Sequence, residues 1–78
     1  MVESAEQALM ELGFKQLRVR IHGENLARIE VLPSEQEKLF SLRDTVSKVL
    51  KEAGFAYVTI DLQGYRTGAM NEVIIEKN

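Results

Sequence analysis

Apolar residues recur at two periods along this chain, and the changes of period mark its elements. Ala5, Ala8, Leu9 and Leu12 are spaced along one helical face, with Ser4 and Gln7 as a capping-box start and Gly13 as the stop. Leu17, Val19 and Ile21 then alternate with Arg18, Arg20 and His22, the period-two pattern of a half-buried strand. Gly23-Glu24-Asn25 supplies a three-residue turn, including two residue types that tolerate positive φ. Ala27, Ile29 and Val31 follow, alternating with Arg28 and Glu30. A slip of one residue in the hairpin would send one apolar row into solvent, so the pattern itself predicts the register. His22 faces Leu26, Val19 faces Ile29, Arg20 faces Arg28 and Arg18 faces Glu30.

Pro33-Ser34 with Glu37 opens a helical stretch through Leu39 and Phe40. Ser41 with Asp44 offers a second cap before Leu42, Val46, Val49, Leu50 and Ala53 continue at helical spacing. A short helix, a break near Ser41 and a longer helix ending at Gly54 are expected. Val58, Ile60 and Leu62 form the inward face of a third strand, leaving Tyr57, Thr59 and Asp61 outward, and a right-handed crossover returns that strand beside the second. A tail with Met70, Val73, Ile74 and Ile75 reads as irregular or briefly helical. The fold class is α+β: one small domain over residues 1–78, helix-strand-strand-helix-strand, with a three-stranded sheet, helices on one face, and a part-ferredoxin-like arrangement.

Leu9, Glu11, Gly13, Phe14 and Gly23 match Leu50, Glu52, Gly54, Phe55 and Gly64 at one fixed offset. A duplicated helix–Gly-Phe–strand unit accounts for this, and so does the common grammar of helix ends.

Composition narrows the function classes. At 45% hydrophobic and 28% charged residues the chain is an ordinary globular sequence, not a disordered one. Its net charge of −2, with both signs interspersed, argues against a nucleic-acid or membrane-surface binder, since either needs a one-signed basic field. No apolar run approaches the roughly 18 residues of a membrane span, and the N-terminus has no signal-peptide pattern. A cytoplasmic location is expected. With no cysteine, the chain has no disulfide, thiolate metal site, iron–sulfur cluster or cysteine nucleophile of its own.

Candidate chemistry lies on the outward sheet face, where Arg18, Arg20 and Arg28 stand with His22, Glu30, Thr59 and Asp61. The bland reading is a solvated face. Arginine at all three basic strand positions favours bidentate phosphate or carboxylate contacts, and Arg20 beside Arg28 calls for an anion or acid between them. Gly64-Tyr65-Arg66-Thr67-Gly68 resembles a phosphate nest, in which Gly64 and Gly68 let backbone amides approach an anion and Arg66 adds charge. A plain connection with a docked tail is its bland alternative. His22, the lone histidine, reads as structural beside its turn. There is no Ser-Gly-Gly-x-Asp-Ser pyrophosphate loop, no Walker-type lysine loop and no Ser-His-Asp set. No residue is assigned a catalytic role.

The succession Arg18-x-Arg20-x-His22-Gly23, Ala27-Arg28-Ile29-Glu30, Ala53-Gly54-Phe55 and Gly64-Tyr65-Arg66-Thr67-Gly68-x-Met70-Asn71-Glu72 resembles the C-terminal domain of the ATP-dependent sacrificial sulfur transferases, the LarE/ExsB-like branch of the PP-loop ATPases. The likeness runs from about Ala5 to Glu72, and with the Ser4 start it leads to the expectation of a complete domain. It implies that Arg18 and Arg20 hold phosphate or substrate anions and that Glu30 and Glu6 contribute to a divalent-metal site, with Glu35 or Glu37 as approximate candidates for a further acid. First-turn acids such as Glu6 also favour the helix dipole without any metal. The resemblance further implies ATP or AMP and magnesium or another divalent metal as ligands of the whole enzyme, a homo-oligomer, and a PP-loop ATPase domain in cis or trans. That enzyme would convert a carboxylate to a thiocarboxylate with sulfur from outside this chain, and this domain would not be active alone. The alternatives are a stand-alone protein–protein association module and a small anion- or nucleotide-binding domain.

Overall fold

Residues 1–65 are described in the computed structural model. Helix α1 spans Val2–Glu11, strands β1 and β2 span Leu17–His22 and Leu26–Val31, and a 3-10 turn at Pro33–Glu35 leads into α2, Gln36–Ser41. Helix α3, Arg43–Glu52, and strand β3, Tyr57–Ile60, complete the α+β domain. The sheet order is β1-β2-β3, with β1 antiparallel and β3 parallel to β2. Arg66, Gly68 and the apolar tail residues lie outside the described residues.

The hairpin register is the one that the apolar alternation demands: Arg18 faces Glu30, Val19 faces Ile29, Arg20 faces Arg28 and His22 faces Leu26. It places Val19, Ala27, Ile29 and Val31 together in the core with Ala5 and Leu9 of α1, Leu39 of α2 and Val46 and Leu50 of α3. Leu9 and Leu50 are fully buried, and each such side chain contributes about 1.5–3 kcal/mol by leaving water.

Both long helices end alike. Gly13 (φ 99°) and Gly54 (φ 115°) reverse the chain, and the next residue, Phe14 or Phe55, donates its amide back to Leu9 or Leu50 at 3.4 and 3.1 Å. Each phenylalanine then closes the core over its own helix end, so the repeated sequence unit is also a repeated structural one.

The caps differ from expectation. Helix α1 begins two residues before Ser4, whose hydroxyl donates to the Met1 carbonyl (3.1 Å). The break near Ser41 falls at Leu42, and the Ser41 hydroxyl donates to the Lys38 carbonyl (2.7 Å) while α3 starts with no side-chain cap. In both cases a carbonyl three residues back lies within reach of the hydroxyl and takes its proton. Pro33–Glu35 likewise starts without a side-chain cap, relying on the fixed φ of Pro33.

Two residues assigned to the inward rows are also exposed. Ile21 lies at the hairpin tip and is 43% exposed, and Leu62, past the end of β3, is 81% exposed. In the turn only Gly23 takes positive φ, at 63°; Asn25 does not.

Among the described residues no helix is long and apolar enough to cross a membrane.

Candidate anion-binding face

Alternation along β1 and β2 leaves Arg18, Arg20, Arg28 and Glu30 on the sheet face opposite the core. Arg28 and Glu30 are two residues apart on one strand, so they share that face, and Arg28 Nη2 donates to Glu30 Oε2 at 3.0 Å. Arg20, directly across from Arg28, brings its Nε to 3.6 Å from the same oxygen. The acid needed between the two arginines is therefore Glu30. Held between two guanidinium groups, it is only 6% exposed although it faces away from the helices. A carboxylate removed from water to that degree requires such partners.

On its other side Arg28 Nε lies 3.8 Å from Asp61 Oδ2, close enough for charge attraction but with no hydrogen bond to that buried nitrogen. Thr59, on β3 opposite Arg28, donates its hydroxyl to the Ala27 carbonyl (2.7 Å) and so ties β3 to β2.

Arg18 is different. Its strand position faces Glu30, yet its guanidinium lies over the Tyr65 ring, 5.8 Å from the centroid. Among the described residues Arg18 is in none of the ion pairs, whereas Arg20 and Arg28 already share Glu30. Among the described residues the face thus gathers three arginines against two acids, with no ion pair at Arg18, which is exposed and stacked so that its donors remain available.

The other predicted site residues have structural partners. Glu6, on α1, accepts the Val19 amide at 2.9 Å, a bond that satisfies the outer edge of β1. Glu35 accepts the Lys15 amide at 3.1 Å. Among the described residues no three His, Asp or Glu side chains converge on a point where a metal ion could sit. With Glu30 facing two guanidinium groups and Glu6 facing a backbone amide, these side chains alone do not fit a divalent-metal site.

Gly64 is required for a reason other than an open nest. At φ 86° it passes so close to β2 that a Cβ would lie 2.6 Å from the Val31 carbonyl oxygen and 2.8 Å from Gln36 Nε2. Its own amide donates to the Asp61 carbonyl (3.0 Å), while the Tyr65 amide donates to Val31 (2.6 Å). Gln36 secures the same loop by donating to the Leu62 carbonyl at 2.9 Å. The consequence is that Tyr65 is brought beside Arg18. Sequence reasoning missed this ring contact, although Tyr65 lay inside the segment singled out. Among the described residues His22, at the exposed hairpin end, takes part in none of the ion pairs of this face.

No family model matches the chain. It is 41% identical over 73 residues to pyridinium-3,5-bisthiocarboxylic acid mononucleotide synthase of Lactiplantibacillus plantarum, a match covering 94% of this chain and 26% of that protein. The chain is thus similar to part of a LarE-like sulfur transferase. An uncharacterised protein of Synechocystis sp. is 47% identical over 77 residues, covering 94% of this chain and 28% of its own length. The chain therefore spans about a quarter of the length of the curated relatives it matches. The matched stretch takes in both arginine-bearing strands, and the resemblance seen in their residues is a similarity across nearly the whole chain.

Proposed function

We propose that this domain acts as an anion-holding wall of a LarE-like sulfur transferase, with Arg18 as the principal contact and Arg20 and Arg28 beside it. The observation that carries the reading is the position of Arg18: exposed, outside every ion pair among the described residues, and fixed over the Tyr65 ring. Guanidinium forks suit phosphate and carboxylate oxygens, and stacking one on a ring reduces the freedom it loses on binding. The Lactiplantibacillus relative is, by its name, a synthase of a mononucleotide bearing two thiocarboxylic acid groups. A molecule of that kind presents a phosphate and acid groups for such a wall to hold.

In this reading the domain is the C-terminal part of the enzyme and the chemistry is completed by a PP-loop domain in cis or trans. The substrate carboxylate attacks the α-phosphorus of ATP, pyrophosphate leaves, and a sulfur nucleophile from outside this cysteine-free chain displaces AMP to form the thiocarboxylate. The role of this chain's residues is to bind and orient the anion. Neither step is routed through a metal held by Glu6 or Glu30.

Isothermal titration with inorganic phosphate and with AMP tests the reading. Saturable binding that weakens about tenfold in Arg18→Ala is expected, the scale of one charge-assisted contact. Equal binding by wild type and Arg18→Ala would overturn the assignment. ATP–pyrophosphate exchange catalysed by the chain alone would overturn its non-catalytic role.

A further inference from the structure

The two edges of the sheet are treated differently. On β1 the outward Val19 amide is taken by Glu6 from α1. On β3 the Tyr57 and Asp61 amides donate inward to Asn25 and Ile29 of the β2 side, at 3.2 and 2.9 Å. By the period of a strand, the amides and carbonyls of Val58 and Ile60 then point outward, and among the described residues no strand pairs with that edge. Such an edge is a template for one more strand. Beside it lies an open groove of about 340 Å³ whose apolar walls are Ile29, Leu39, Phe40, Val46, Val58 and Ile60. Phe40 at the groove and Tyr57 on the other face of β3 are each 63% exposed.

We infer that Val73-Ile74-Ile75 of this chain closes that edge, antiparallel to β3, with Val73 opposite Ile60, Ile74 opposite Thr59 and Ile75 opposite Val58. Three consecutive β-branched residues suit a pleated, half-buried surface. In this register Val73 and Ile75 turn their side chains to the groove and exchange backbone hydrogen bonds with Ile60 and Val58. Registers shifted by one or two residues set Asn71, Glu72, Glu76 or Lys77 against Val58 or Ile60, on the apolar wall. The tail therefore fits the groove in one register alone. Ile74 falls on the other face, diagonal to Tyr57 and within reach of its ring.

The chain is long enough to return. Tyr65, whose amide donates to the Val31 carbonyl, lies at the end of the sheet where β3 also ends, and residues 66–72 separate it from Val73. Three strand spacings, roughly 15 Å, lead from β1 to the far side of β3, whereas seven extended residues reach about 23 Å. A segment that leaves this end and returns along β3 runs antiparallel to it, so no crossover is needed. Pairing at Val73 also fixes both ends of 66–72 at the end of the sheet that carries Arg18. The inference goes beyond the anion-binding reading and uses none of its arginines, so either can fail without the other.

Nuclear magnetic resonance of the labelled 78-residue chain, with amide hydrogen exchange from micromolar to millimolar protein, provides the test. The expected results are a contact between the Hα protons of Thr59 and Ile74, the mark of an opposed pair that exchanges no hydrogen bonds, and protection of the Val58 and Ile60 amides that does not vary with concentration. Ile75→Pro removes an amide that faces β3 and should speed exchange at Val58 and Ile60 at least about tenfold, whereas Ile74→Pro removes one that faces away and should leave it within about threefold. Both substitutions lie outside the core cluster of the described residues, and a retained far-ultraviolet circular dichroism spectrum checks that the domain is folded. Unprotected Val58 and Ile60 amides, or absence of the Thr59–Ile74 contact, would overturn the inference. So would protection that rises with protein concentration, which would assign the edge to another molecule, or two proline variants that behave alike.

Discussion

Replacing Glu30 by glutamine tests the arginine cluster at its centre. The substitution keeps the size of the side chain and an oxygen able to accept from Arg28, but removes the charge that holds Arg20 and Arg28 together. The Glu30 side chain is 8% exposed, while those of Arg20 and Arg28 are 43% and 37% exposed, so the acid is desolvated and its partners remain partly screened. A hydrogen bond to a charged group contributes about 1.5–3 kcal/mol, and the lower part of that range applies where the cations still contact water. Unmasking the Arg20–Arg28 repulsion across the strands adds about 0.5 kcal/mol. The expected loss is therefore about 2 kcal/mol, which in a domain of this size lowers the melting temperature by about 8–16 °C.

Urea unfolding followed by circular dichroism reads the free energy directly, with an unchanged m-value showing that the denatured state is the same. A double-mutant cycle then isolates the contact: in an Arg28→Met background, Glu30→Gln should lose at least about 1 kcal/mol less than in wild type. A Glu30→Gln variant within about 0.5 kcal/mol of wild type, or full additivity with Arg28→Met, would refute the claim that Glu30 serves as the counter-ion of this face.

Two further perturbations separate backbone demands from edge chemistry. Gly64→Ala places a Cβ against the Val31 carbonyl oxygen and should destabilise by more than about 2 kcal/mol in urea, whereas Gly23→Ala, with positive φ but nothing within 4 Å, should lose only about 1 kcal/mol. Comparable losses at the two glycines would mean that the close passage of Gly64 over β2 is not a constraint in solution. Glu6→Ala should lose about 1 kcal/mol and accelerate hydrogen exchange at Val19, the amide that Glu6 accepts; an unchanged Val19 exchange rate would show that the β1 edge is protected by something else.

The hairpin was legible in the sequence because a period-two pattern admits one register when one face is buried: Val19 opposite Ile29 forces Arg20 opposite Arg28. The helix ends were legible for a similar reason, since Gly13 and Gly54 with their following phenylalanines perform two jobs, reversal and core closure, that few other residue pairs combine. The serine caps were misread because Ser4 and Ser41 each have a rival acceptor three residues back, and local sequence does not reveal which geometry the hydroxyl adopts. Ile21 and Leu62 fit the inward pattern but lie past the end of what the helices cover, a boundary set by tertiary packing.

For the site, the pattern showed that two arginines needed an acid but not that Glu30 would approach both through one oxygen. Glu6 is a contact between residues thirteen apart in the chain, so its role at the β1 edge had no local signature. The Arg18–Tyr65 stack arises from the close passage of Gly64 over β2, a geometry that a glycine in the sequence only permits.

The measurement that bears most directly on the central claim is an amide chemical-shift map of the labelled chain titrated with AMP and, separately, with inorganic phosphate. The account predicts saturable shifts centred on Arg18 and Tyr65, falling off through Arg20 and Arg28, and largely abolished in Arg18→Ala. Shifts centred elsewhere, or none at millimolar ligand, would contradict the assignment of this arginine face as an anion-holding wall.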